Sequence, residues 1–222
     1  LLLLNLLFFE HAFVYLLDLN LENTRIIFLD RALGNPIFNN FFLSFSILVI
    51  INGSNFIDGV NINNLGYYFT ICLCLIFLSN DLNLVISKEF LVYFSLSIFI
   101  LIILNSKSIL FLGDSGSYLL GFLFSYFLIE MYTQNQNVSP FFIILLLWYP
   151  AFENLFSFIR KFSLDKSPLS PDNYHFHHAI RMYFANNKKL KKYNHNLPGI
   201  IINLTNGIFF YFGATQISNT QL

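Results

Sequence analysis

The sequence predicts an all-α, polytopic integral membrane protein with about seven transmembrane helices. Three observations predict it. Hydrophobic residues make up 56% of the 222 positions and charged residues only 11%, whereas a soluble domain carries roughly a quarter charged residues. Apolar runs such as PFFIILLLWYPAF at 140–152 and FLVYFSLSIFILIIL at 90–104 recur along the chain, as repeated bilayer crossings do and one buried core does not. Charge is also uneven beneath a formal net charge of zero. Eight of the twelve Lys and Arg lie between Arg160 and Lys192, against only Asp165 and Asp172. A Lys/Arg excess in a connecting loop marks the cytoplasmic side, and its tether between apolar stretches argues against a nucleic-acid partner.

About 20 apolar residues cross a bilayer. On that ruler the spans fall near 1–17, 37–51, 65–79, 90–105, 117–133, 140–159 and 199–214, in one membrane-embedded domain over 1–222. Glu10 and His11 interrupt the first, and the second is short. Cys72 and Cys74 lie inside an apolar run and read as small hydrophobes. The opening LLLLNLLFFE has no methionine or basic n-region, so it lacks a signal-peptide layout and reads as a truncated start. With the basic segment 160–198 fixed inside, counting spans backwards puts 105–116 and 52–64 inside as well. Three polar loops, containing NGSNFIDG, FLGDSG and PDNYHFHH, then share the cytoplasmic face.

Each loop carries groups suited to phosphate chemistry. In FLGDSGSYLLGF, Asp114 sits between Gly113 and Gly116 with Ser115 and Ser117 beside it, at the mouth of a span. A helix N-terminus favours anions, and a carboxylate there suits Mg²⁺, which takes one or two carboxylates plus substrate phosphates. An N-cap aspartate with packing glycines accounts for the same residues equally well. In INGSNFIDGVN, Asn52, Asn55 and Asp58 recur every third residue and would share one face if the span helix continues. An Asp-Gly turn explains Asp58-Gly59 but not the two amides. In SPLSPDNYHFHHAIRMYF, His175, His177 and His178 cluster ahead of Arg181. Adjacent imidazoles without a cysteine are poor zinc ligands, and beside an arginine they suit a diphosphate better. A solvated His-rich loop is the alternative. Glu153 lies in the last apolar run, either paired with Arg160 or reaching toward the loops.

NGSNFIDGVN, FLGDSGS and SPLSPDNYHFHH, in this order over 52–178, resemble the polyprenyl-phosphate N-acetylhexosamine-1-phosphate transferases, the MraY/WecA-like glycosyltransferase family 4. The resemblance implies transfer of an N-acetylhexosamine-1-phosphate from a UDP-sugar to a polyprenyl (undecaprenyl) phosphate, releasing UMP. The reaction would run at the inner face of the plasma membrane with Mg²⁺ or Mn²⁺. It implies catalytic roles for Asp58, Asp114, His175, His177 and His178, with Asp114 as the metal ligand. Asn52, Asn55, Phe111, Ser115 and Arg181 would bind substrate, Phe111 against the uracil. SPDNYHFHH resembles members acting on simple N-acetylated sugars, hence O-antigen, capsule or other surface-polysaccharide initiation, and a homodimer is allowed.

Two departures stand out. The family follows its Asp-Gly with a second Asn/Asp-Gly, whereas Asn61 here precedes Ile62. The family also carries an Asp-Asp loop ahead of the first span seen here, and no adjacent aspartates occur in the 222 residues. The expectation is therefore a fragment inactive on its own, with a degenerate membrane remnant as the alternative. A transporter fits less well, because the ionisable groups collect at span ends and not at mid-depth.

Overall fold

A computed structural model describes residues 19–84, 86–135, 137–165, 174–188 and 190–219. The predicted span at 1–17 lies outside these residues. The described residues are all-helical: α1 (Ile27–Leu33), α2 (Pro36–Phe56), a 3₁₀ turn (Ile57–Gly59), α3 (Asn63–Leu78), α4 (Lys88–Ser106), α5 (Gly113–Gln134), α6 (Pro140–Ser163), α7 (Phe176–Asn186), a second 3₁₀ turn (Lys191–Tyr193) and α8 (Leu197–Thr215). Among them, Pro36–Gly59, Lys88–Ser106, Pro140–Ser163 and Leu197–Thr215 are long and apolar enough to cross a membrane. The α3 helix is apolar but shorter.

Local sequence sets the boundaries. Asn35 caps α2 by accepting from the N–H groups of Ile37 and Phe38, and Pro36 occupies the first turn, where no N–H is needed. Ser87 caps α4 through the Phe90 N–H. The α2 helix does not end near residue 51. It runs through Asn52 and Asn55 before tightening into the 3₁₀ turn, where Asp58 leaves helical geometry at φ −82° and ψ 17°.

The helices form two groups. The α2 helix packs between α5 and α6, and α3 packs between α4 and α8. Contact between α2 and α6 is close because Gly53 has no side chain: a Cβ there would lie 1.9 Å from the Pro150 carbonyl oxygen. Small residues serve this purpose between membrane helices, where close backbone approach supplies the packing energy. Tyr67 and Tyr68 of α3 join the groups. The Tyr68 ring stacks on Phe124 of α5 at 4.6 Å, and Tyr67 meets the edges of Tyr149 and Phe210 at 5.7 Å each. Ring pairs of this kind add about 0.5–1.5 kcal/mol beyond burial.

Both hydroxyls are used. The Tyr68 hydroxyl hydrogen-bonds Ser54. Pro150 lies inside α6 and has no N–H to offer the carbonyl four residues back, at Leu146. The Tyr67 hydroxyl donates to that carbonyl at 2.8 Å. A proline that would leave an orphaned acceptor in an apolar medium is thereby made tolerable. The cysteines are buried and unbridged.

Candidate functional site

The polar loops meet at one end of the helices, around the 3₁₀ turn that follows α2. An asparagine framework holds that turn. Asn63 donates to the Ile57 carbonyl at 2.7 Å, and Asn64 to the Ser54 carbonyl at 2.9 Å. Asn105, at the end of α4, accepts the Ile62 N–H at 2.6 Å and donates to the Leu110 carbonyl at 2.9 Å. Asn61 reaches Ser108 and Asn196, both at 3.0 Å, while Asn203 of α8 donates to the carbonyls of Ile62 and Asn63. Backbone groups without helical partners must be satisfied when buried, and an amide carries both a donor and an acceptor to do so. The loop needs this bracing because Ile62 adopts φ +70°. That is the left-handed region, which costs a β-branched residue about 1–2 kcal/mol. The sequence departure after Asn61 therefore sits at the strained residue of the turn.

Asp58 points toward the N-terminus of α5. Its carboxylate lies beside the Ser117 side chain, the Gly113 N–H and the Asp114 carboxylate. The Ser117 hydroxyl is fully buried and makes no hydrogen bond of good geometry. Gly113 takes φ +67°, a conformation open to glycine, which starts α5 abruptly. Asp114, Ser115 and Phe111 are exposed around this start. On the last turns of α2, Asn55 lies beside the Tyr118 hydroxyl. Asn52 donates to the Leu48 carbonyl of its own helix at 3.1 Å. The three residues of the period-three stripe thus do different things, because the helix breaks before Asp58.

The other side of the turn faces the histidines. A Cβ on Gly59 would lie 2.2 Å from Nε2 of His177 and 3.1 Å from Cε1 of His178. The His177 ring is fully buried, and neither nitrogen has a hydrogen-bond partner. Burial pushes its pKa down to about 2, with His178, His175 and Arg181 adding repulsion, so the ring is neutral. The His175 ring runs parallel to it, 2° between planes at 5.6 Å, and His178 follows at 4.3 Å. Phe56 flanks His175 at 5.2 Å. Arg181 lies one turn beyond His177 on α7, close enough to repel a charge there.

Two residues outside the three motifs complete the arrangement. Glu153 of α6, almost fully buried, does not reach toward Arg160. One carboxylate oxygen lies 2.9 Å from His175 Nδ1, and the other accepts the Phe176 N–H at 2.9 Å. The charge of Arg160 goes elsewhere, to the Tyr174 carbonyl at 2.8 Å and over the rings of Phe156 and Tyr174. Lys161 is buried, with Nζ 5.9 Å from the Phe56 ring centroid. The only sequence signal for Glu153 was an acid in an apolar run, and none pointed to Lys161.

Among the described residues no three His, Cys, Asp or Glu side chains form a metal cage. Asp58 and Asp114, together with the orphaned Ser117 hydroxyl, are an oxygen-rich pair of the kind Mg²⁺ uses when substrate phosphates complete its shell. Beside them stand an exposed helix N-terminus, the imidazoles of the histidine motif and a guanidinium. That set can bind and orient a diphosphate.

The family model for glycosyl transferase family 4 matches residues 3–132, more than half of the chain and inclusive of the Asp58 and Asp114 motifs. The undecaprenyl-phosphate alpha-N-acetylglucosaminyl 1-phosphate transferase of Thermotoga maritima is 37% identical over 70 residues. That alignment covers 32% of this chain and 23% of the relative. No solved structure matches the chain. On the family match, with its motifs gathered around one turn, the chain belongs to glycosyl transferase family 4.

Proposed function

We propose that the protein, as part of a multi-pass membrane enzyme, transfers an N-acetylhexosamine-1-phosphate from a UDP-sugar to polyprenyl phosphate and releases UMP. One observation carries the reading: the turn at Asp58-Gly59 touches the start of α5 through one residue and the histidines through the next. A substrate lying against this turn would meet carboxylates at one end and imidazoles with Arg181 at the other. The bond formed joins a lipid phosphate oxygen to the β-phosphorus of the nucleotide sugar. The bond broken joins that phosphorus to the bridging oxygen, which leaves with UMP. Positioning and charge neutralisation do most of the work in such transfers.

Asp114, with Asp58 beside it, would hold Mg²⁺. The ion they held would supply charge neutralisation for phosphate oxygens. The N–H groups opening α5 orient phosphate oxygens. The neutral ring of His177 offers one donor and one acceptor. Arg181 is long enough to clasp a phosphate in bidentate fashion. Asn55 and the exposed Phe111 would line the nucleotide end, with Phe111 free to stack on uracil. The basic segment 160–192 argues for a cytoplasmic site, where UDP-sugars are met. The resemblance of the histidine motif supports an N-acetylated sugar without a peptide, and so surface-polysaccharide initiation, and the name of the Thermotoga maritima relative supports N-acetylglucosamine.

The test is UMP release from UDP-N-acetylglucosamine, with undecaprenyl phosphate and Mg²⁺, by membranes containing the whole enzyme of which this chain is part. Asp114→Asn is expected to lower the rate by at least about 100-fold. No UMP from any UDP-N-acetylhexosamine by that enzyme would overturn the reading and favour a membrane remnant.

A further inference from the structure

We propose that Glu153 is the positioning residue of the histidine motif: its two carboxylate oxygens fix both the start of α7 and the tautomer of His175. The argument begins with a count of donors. The Phe176 N–H opens α7 and has no acceptor within its own helix. It is a backbone group, so it can only donate. The Glu153 carboxylate accepts it with one oxygen and faces His175 Nδ1 with the other, both at 2.9 Å. The glutamate is 1% exposed, so water does not compete for either oxygen. A carboxylate only accepts. Nδ1 of His175 therefore carries the proton that meets the carboxylate.

The consequence spreads through the ring stack. Fixing the plane of His175 fixes what lies parallel to it, and His177 lies 2° from parallel. His177 has no hydrogen bond of its own to set its angle. Phe56 packs against His175 as well, 5.2 Å between ring centroids. One carboxylate on α6 thus sets the orientation of imidazoles on α7, as the outer partner of a metal-bound or catalytic histidine sets its tautomer elsewhere.

A purely structural cap would behave differently, and Glu153→Gln separates the two roles. The glutamine side chain has one oxygen and one NH₂ in place of two oxygens. The Phe176 N–H claims the oxygen, so the NH₂ faces Nδ1, which must then become an acceptor. The proton moves to Nε2. The substitution keeps the shape and both contacts while inverting the ring's polarity.

The experiment uses the full chain in lipid nanodiscs with ring-¹⁵N histidine, and His175→Asn assigns the signals. Wild type is expected to show a protonated Nδ1 on His175, and Glu153→Gln a protonated Nε2 with Nδ1 bare. The activity arm rests on the transferase reading above. There Glu153→Gln is expected to lower kcat about 10- to 100-fold, with KM for the UDP-sugar changed less than about 2-fold. A wild-type spectrum with bare Nδ1 overturns the proposal, as does Glu153→Gln with wild-type kcat. If wild type releases no UMP, the transferase reading fails, and the spectra alone decide for or against Glu153. If Glu153→Gln does not fold, the wild-type spectrum decides.

Discussion

Replacing Gly59 by alanine puts a methyl carbon 2.2 Å from Nε2 of His177, where ordinary contact begins at 3.4 Å. The gap must open by about 1 Å. The ring has little room to shift, since His178 lies 4.3 Å from it, itself 3.1 Å from the new methyl, and His175 is tied to Glu153. Overpacking of this kind costs about 1–3 kcal/mol. A 1 Å misplacement of a group beside reacting atoms costs about 100-fold in rate. Gly59→Ala is therefore expected to lower the unfolding midpoint in detergent and to cut UMP release by about 100-fold. Gly34→Ala is the control, since its nearest neighbour would be an oxygen at 3.4 Å. In the double variant Gly59→Ala/His177→Ala the clash is gone, so the two stability losses should fall short of additivity by at least about 0.5 kcal/mol. Strict additivity, or a Gly59→Ala protein with wild-type midpoint and rate, refutes the reasoning.

Tyr67→Phe removes the donor to the Leu146 carbonyl and should cost about 1–3 kcal/mol; an unchanged chemical-denaturation midpoint counts against the account of Pro150. Ile62→Gly relieves about 1–2 kcal/mol of left-handed strain, which offsets most of the packing lost from this half-buried side chain. Its midpoint should stay near wild type, while Ile57→Gly, at a fully buried site, loses several kcal/mol. His177 is neutral when folded and charges freely when unfolded, so the unfolded state binds the extra proton below pH ~6.5. Stability should fall as pH drops from there, by at most about 1.4 kcal/mol per pH unit from this group. His177→Asn should flatten the fall between pH 7.5 and 5.5, as read by unfolding midpoints.

The helices were legible because apolar runs in a charge-poor chain leave few alternatives. Their ends were less so: α2 continues through INGSNF because its amides find partners on the helix itself or on Tyr118. The approach of Asp58 to the start of α5 joins residues more than fifty positions apart, and no spacing rule encodes it. Glu153 was visible only as an acid near a basic segment. Charge alone favoured Arg160, while the geometry of an uncapped helix start brought it to His175. The asparagine framework was hidden for a further reason. Asparagine's partners here are mostly backbone groups, from five to more than a hundred residues away, so residue type says that a bond will form but not where.

That framework has a consequence for how the loops respond to their surroundings. Amides neither gain nor lose protons across the physiological range, and their bonds to backbone carbonyls weaken little in salt. The shape of the turn between α2 and α3 is thus decoupled from the ionic medium at the membrane surface. Asp114 and Arg181 beside it can then answer to an arriving ligand instead of holding the turn together. A mould set by uncharged groups can let its charged ones go unspent until a ligand enters.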